Sequence, residues 1–259
     1  MFLRKLQHTS GASRNITKLT SSWFSHKRFN SLTWRKHSKA GRGHFGRIVT
    51  WTKCKLRRRL RFPIINYSFR INILAIVSTF YLIPFQNKLV ALCFLSTGGV
   101  TYLQSTTQFK LLSFIKLPSN FNRKGAVTFD PTVSILMHIK LLSRISLVEL
   151  YPGSGVQYVR SSGSFARFIK VDWSTHTTLL TMPSGVRKSF SLYSLASVGA
   201  VSLKNKRLVR NTKAGFWRSF GVKSKVRGVA MNPIDHPHGG RTKSIKNPRT
   251  PWGKPTKLK

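Results

Sequence analysis

The stretch "INILAIVSTFYLIPFQNKLVALCFL" (71–95) is a long, strongly apolar run. Its first part, 71–83, is 13 residues long, includes Asn72, Ser78 and Thr79, and stops at Pro84. A bilayer span takes about 20 apolar residues without such a break. Enrichment in Ile, Val, Phe and Tyr on both sides of "PFQNK" predicts two buried antiparallel strands instead. Further on, "VQYVRSSGSFARFIKVDWSTHTTLLTMPSGVRKSFSLYS" (156–194) breaks into short strand-like runs. "SSGS", "DWSTH" and "MPSG" separate them with the Gly, Pro, Ser and Asp that turns use. In "FARFIKV", Phe165, Arg167, Ile169 and Val171 alternate with Ala166, Phe168 and Lys170 on the opposite face. Strands of this length at hairpin spacing predict a small barrel. No long amphipathic helix and no repeat of 20–50 residues interrupts the pattern. The centre reads as mainly β.

Charge changes the picture. The 259 residues have room for one or two domains. Against 46 Lys and Arg stand four acids, Asp130, Glu149, Asp172 and Asp235, a formal charge of +42. Such a chain repels itself unless an anionic partner neutralises it. Nucleic acid is the natural partner, because neutralising phosphates releases counterions. An acidic membrane surface is the rival. The basic residues number 18 in 1–70, five in 71–129, seven in 130–198 and 16 in 199–259. This layout predicts a globular centre with basic arms at 1–40 and 199–259 that order on their partner. Cys54 and Cys93 stand 39 positions apart. They fit neither a disulfide framework nor a zinc ribbon and read as packing residues in a reducing compartment.

"GRGHFG" (41–46) matches the dinucleotide fingerprint letter for letter. That motif must follow a strand, open a helix and have an acid about 20 residues on. Here a basic loop precedes it, "RIVTW" after it is strand-like, and the first acid is Asp130. The match is accidental, and the glycines, with Arg42, His44 and Arg47, read as backbone lying close to phosphates. "TKCKLRRRLR" (52–61), between Trp51 and Phe62, reads as a phosphate-gripping loop through Lys53, Arg57, Arg58, Arg59 and Arg61. A solvated face or targeting signal is the ordinary alternative for such a run.

Catalytic constellations are thin: no GxSxG elbow, HExxH or Walker A loop occurs. The one candidate cluster is Asp235, His236 and His238 in "MNPIDHPHGG" (231–240). In extended backbone the two histidines share a face and could reach one metal ion, with Asp235 pointing away. An RNA-processing or metal-dependent enzyme is therefore the alternative function, and a basic membrane-associated protein the other. The preferred reading is a stiff, irregular ribbon. Pro233 and Pro237 push the preceding residues towards extended backbone, while Gly239 and Gly240 permit positive φ and close approach. Such a ribbon can thread folded RNA.

"KVRGVAMNPIDHPHGG" (225–240) followed by "TPWGKPTK" (250–257) resembles the signature of the universal large-subunit ribosomal protein of the L-two family. "HSKAGRGHFGRI", "YVRSSGSFARFI", "MPSGVRKSF" and "LVRNTKAGFWRSFG" fall in the family's order. The resemblance implies an oligonucleotide-binding-like barrel at 41–129 and an SH3-like barrel at 130–198. Basic extensions at 1–40 and 199–259 would penetrate large-subunit ribosomal RNA. It implies RNA contacts at Arg160, Lys213, Trp217, Arg218, Lys225, Arg227, Met231, Asn232, Asp235, His236, His238, Gly239, Gly240, Arg241, Trp252, Lys254 and Lys257. It also implies a structural, non-catalytic part in assembling the subunit and supporting the peptidyl-transferase region. His236 matches a family histidine once proposed to act in peptide-bond formation, chemistry now ascribed to RNA. Partners would be large-subunit RNA, other large-subunit proteins and the small subunit. No membrane, small-molecule substrate or cofactor is expected beyond Mg2+ held by nearby RNA. Arg241 stands where the family usually has a third glycine, and "WTKCKLRRRLR" replaces its glycine-rich loop. Such divergence points to an organelle. "FLRKLQHTSGASR" resembles the family's own N-terminus, so a mitochondrial protein made inside the organelle, without a presequence, is expected. A chloroplast or bacterial ribosome is the alternative.

Overall fold

The computed structural model describes residues 2–20, 24, 29–35, 37–56, 61–68, 73–83, 86, 88–117, 133–240, 245 and 247–257. The chain forms two units, one of Met1–Lys36 with Leu60–Thr212, the other of His37–Arg59 with Lys213–Lys259.

The first unit opens with two antiparallel ribbons. β1 (Phe2–Lys5) pairs with β2 (Thr17–Thr20), and β3 (Thr33–Arg35) with β4 (Arg61–Pro63). A five-stranded sheet follows, from β5 (Ile65–Asn66), β6 (Ile73–Ile83), β7 (Lys88–Leu95), β8 (Val100–Gln104) and β9 (Phe114–Leu117). Its order is β5-β8-β7-β6-β9, and only β5 and β8 run parallel. β6 and β7 are the pair expected across "PFQNK". Ala75, Val77, Val90, Ala91 and Cys93 are fully buried in them. No helix among the described residues is long and apolar enough to cross a membrane.

The next strands are β10 (Val133–Ile135), β11 (Arg144–Ser146), β12 (Val148–Glu149), β13 (Val156–Tyr158), β14 (Ala166–Asp172), β15 (Thr177–Thr181), β16 (Arg187–Ser191) and β17 (Leu195–Val198). Six of them form a sheet in the order β10-β17-β11-β14-β15-β16, and β12 pairs with β13. Turns fall at "SSGS" and "MPSG" as expected, and the one expected at "DWSTH" spans 173–176, with Asp172 closing β14. The fold is mainly β, with the multi-stranded sheets that oligonucleotide-binding-like and SH3-like barrels require.

The alternation expected in "FARFIKV" holds only halfway. Ala166 and Phe168 are buried and Arg167 exposed, but pairing with β15 shifts register between Phe168 and Lys170. A β-bulge there changes the phase, so Val171 packs on the core that also holds Phe168. One core cluster joins Val77, Leu103 and Ile115 of the first sheet to Val133, Leu147 and Leu195 of the second region. A second, of Leu136, Ile145, Phe168, Leu180 and Phe190, fills the six-stranded sheet.

Candidate nucleic-acid interface

The second unit has eight Lys and Arg in 37–59 and twelve in 213–259 against one acid, Asp235. Two segments far apart in sequence meet there through backbone. The Cys54 amide donates to the Gly221 carbonyl at 2.9 Å, and the Lys223 amide to the Thr52 carbonyl at 2.8 Å. Gly221 has a φ of +78°, and a Cβ there would lie 2.6 Å from the Cys54 carbonyl oxygen. Glycine is therefore a condition of this junction. A six-residue helix, α1 (Ala214–Ser219), precedes it and exposes Trp217 and Arg218.

"GRGHFG" forms a loop closed on itself. The Gly43 amide donates to the Arg47 carbonyl, and the Val49 and Thr50 amides converge on the Gly41 carbonyl. A Cβ on Gly41 would lie 2.2 Å from the Thr50 carbonyl oxygen. "RIVTW", read as strand-like, instead forms the return of this loop. The loop presents Arg42, His44 and Arg47 to solvent beside Phe45, which is 90% exposed. Lys53 is exposed next to the junction. Cations interleaved with bare aromatic rings suit a polyanion whose bases also stack.

The segment 231–240 is not an extended ribbon. The Asn232 carbonyl accepts from the Asp235 and His236 amides at 3.0 and 3.3 Å, and the Gly240 amide closes the loop onto the Met231 carbonyl at 3.2 Å. The prolines sit at turn corners, where their lack of an amide is harmless. Gly239 lies so close to Asn232 that a Cβ would be 2.3 Å from its carbonyl oxygen, and Gly240 has a φ of +72°. His236 is only 8% exposed. Its Nδ1 accepts the His238 amide at 3.0 Å, while His238 Nε2 accepts the Arg249 amide at 2.8 Å. The rings lie 4.6 Å apart at 53°. Each accepting nitrogen must be unprotonated, so the imidazoles organise the loop. Among the described residues no group of three or more His, Cys, Asp or Glu is placed to hold a metal ion. Asp235 is exposed, and Ile234 at the tip is 93% exposed.

The second unit thus gathers Arg42, His44, Arg47, Lys53, Lys213, Trp217, Arg218, Lys225, Arg227, Met231, Asn232, Asp235, His236, His238, Gly239, Gly240, Trp252, Lys254 and Lys257. Arg61 and Arg160 belong to the first unit, where Arg61 Nη1 donates to Asn30 Oδ1 at 2.9 Å. Arg57, Arg58, Arg59 and Arg241 lie outside the described residues.

Arg160 borders a cleft of about 430 Å3 that the sequence did not reveal, lined by Trp34, Phe62, Tyr67, Ile83, Gln86 and Lys88 among others. The Arg160 guanidinium lies 5.5 Å from the centre of the Tyr67 ring. Gln104, fully buried, accepts from the Tyr67 hydroxyl at 3.0 Å and donates to the Arg160 carbonyl at 2.6 Å. Burial holds the Lys88 ammonium below its ordinary pKa, aided by repulsion from Arg160 and Lys206. Burial raises Tyr67, and Arg160 partly offsets it. Trp34 and Phe62 stand opposite each other on β3 and β4, which no local pattern announces.

Residues 132–253 match the family model described as the C-terminal domain of ribosomal proteins L2. A large ribosomal subunit protein uL2 from Rhizobium rhizogenes is 32% identical, with all of this chain and 92% of the relative aligned. The uL2 of Orientia tsutsugamushi is 33% identical over 85% of this chain and 79% of its own. That of Parvibaculum lavamentivorans is 30% identical over the whole chain and 92% of the relative. With a relative of this identity aligned along the entire length, the chain belongs to the uL2 family of ribosomal proteins.

Proposed function

We propose that this chain is a structural, non-catalytic constituent of the large ribosomal subunit, held in ribosomal RNA chiefly by its second unit. The observation that carries the reading is the joining of two basic segments, 37–59 and 213–259, into one body with a single acid. A dense phosphate field neutralises such a surface and releases its counterions. The 231–240 loop, with both imidazoles engaged by backbone amides, fits a rigid element set against RNA near the peptidyl-transferase centre. Mg2+ there would belong to the RNA, other large-subunit proteins would flank the chain, and the small subunit would be a further contact. A mitochondrial ribosome is the proposed setting. Its support is the scarcity of acids and the replacement of the family's glycine-rich loop by "WTKCKLRRRLR".

The test is sedimentation of organelle lysate through a sucrose gradient after a high-salt wash. Retention in the large-subunit peak is expected. Release at moderate salt, or recovery with membranes or small subunits, would overturn the proposal.

A further inference from the structure

The cleft beside Arg160 has the makings of a separate binding site. Its floor is built: Phe62 is 3% and Ile83 1% exposed, and buried Gln104 ties Tyr67 to the Arg160 backbone. Its wall is aromatic. Trp34, 48% exposed, leans against Phe62 with ring centres 5.7 Å apart and 35° between planes. Its lining is cationic, with Lys88 and Arg160 and no acid among the described lining residues. Lys88 is half-buried and Arg160 exposed beside it, so without an acid in the lining charge is left for a ligand to neutralise. A flat aromatic face beside them adds a second, orthogonal preference, for a planar ring. The volume falls within the roughly 300–1,000 Å3 typical of small-ligand sites.

We propose that this cleft receives one unstacked nucleotide of a single-stranded RNA segment, its base on Trp34 and its phosphate at Lys88 and Arg160. The assignment rests on the RNA-bound reading and adds to it a site built wholly from residues of the first unit. A duplex cannot use the cleft, because its bases are already stacked and paired. Selectivity for a single strand is therefore the signature.

The experiment titrates the full-length protein with a 12-nucleotide oligoadenylate, a 12-base-pair RNA duplex and AMP, each across a salt series. Trp34→Ala should weaken oligoadenylate binding roughly 5- to 150-fold while leaving duplex binding within about twofold. Trp34→Phe, which retains a ring, should recover most of the loss. Lys88→Gln should also lower oligoadenylate affinity selectively and flatten its salt slope by about 0.7. AMP should compete far more weakly than the oligomer. Loss of selectivity in neither Trp34→Ala nor Lys88→Gln would overturn the proposal. AMP competing as well as the oligomer would overturn it too, by assigning the cleft to free nucleotides. A chain that still sediments with large subunits yet shows no such selectivity loses this site alone; a chain absent from those subunits loses the wider reading as well.

Discussion

The backbone of Gly228 lies directly against the His236 imidazole: a Cβ on Gly228 would come within 2.5 Å of Nδ1 and 2.6 Å of Cε1. Nδ1 is also the atom that accepts the His238 amide. Glycine at 228 is thus what lets the ring seat inside its loop. Gly228→Ala should push the ring out, break the His236–His238 hydrogen bond and cost about 1–3 kcal/mol as an overpacked site. Amide exchange at His238, measured on the full chain, should accelerate; unchanged protection would contradict the packing described.

His236 holds its loop through the His238 amide. His236→Ala should reduce the yield of assembled large subunits, and His236→Gln should be milder because its amide can still accept from the His238 backbone. In purified, intact mutant subunits, single-turnover peptidyl transfer should stay near normal. A general base would instead show a rate loss of about 10²–10⁴-fold with both variants.

Glu149 is a buried carboxylate in a chain of 46 Lys and Arg. Its Oε2 accepts the Leu195 amide at 3.2 Å and the Gly153 amide at 3.4 Å, tying β12 to β17 and to the loop after it. Glu149→Leu should leave the buried Leu195 amide unsatisfied, while water can meet the exposed Gly153 amide, and lower stability by about 1–3 kcal/mol. Glu149→Gln should lose less. The denaturant midpoints of the two variants check the order.

The two thiols should behave differently. Cys93 is wholly buried in β7, and burial pushes its pKa up to about 12. The neutral thiol is the favoured form, so at pH 8 only about one molecule in ten thousand carries the thiolate. Alkylation of folded protein at pH 8 should label Cys54, which is half-buried, and spare Cys93 until denaturant is added. Rapid labelling of Cys93 in native protein would place it outside the core.

Much of the first unit is legible in sequence because its signals are local. Pro84 divides 71–95 into strands, and Gly, Ser and Pro mark the hairpins of 156–194. The bulge after Phe168 is not legible, since a bulge depends on the register of β15 opposite it. Nor is the loop at 231–240, whose prolines and glycines suit an extended ribbon as well as turns; the Gly240 amide meeting the Met231 carbonyl decides between them. The joining of Cys54 to Gly221 spans more than 160 residues and leaves no periodic trace. Trp34 in the cleft is likewise one aromatic residue in a basic stretch, given meaning only by Phe62 and Lys88.

Neutralising Arg42, Arg47 and Lys53 together with glutamine should flatten the salt dependence of ribosomal RNA binding by about two to three units of slope, if each grips one phosphate. An unchanged slope would mean that these cations face solvent or another protein rather than phosphate.

The second unit is expected to carry most of the RNA contact. Ultraviolet crosslinking of purified large subunits, followed by mapping of the nucleotide-bearing peptides, tests it most directly. Crosslinks should concentrate in 37–59 and 213–257, with aromatic positions such as Phe45 and Trp252 prominent and a smaller set at Trp34. Crosslinks confined to β6–β9 and β14–β16, with none in the second unit, would contradict it.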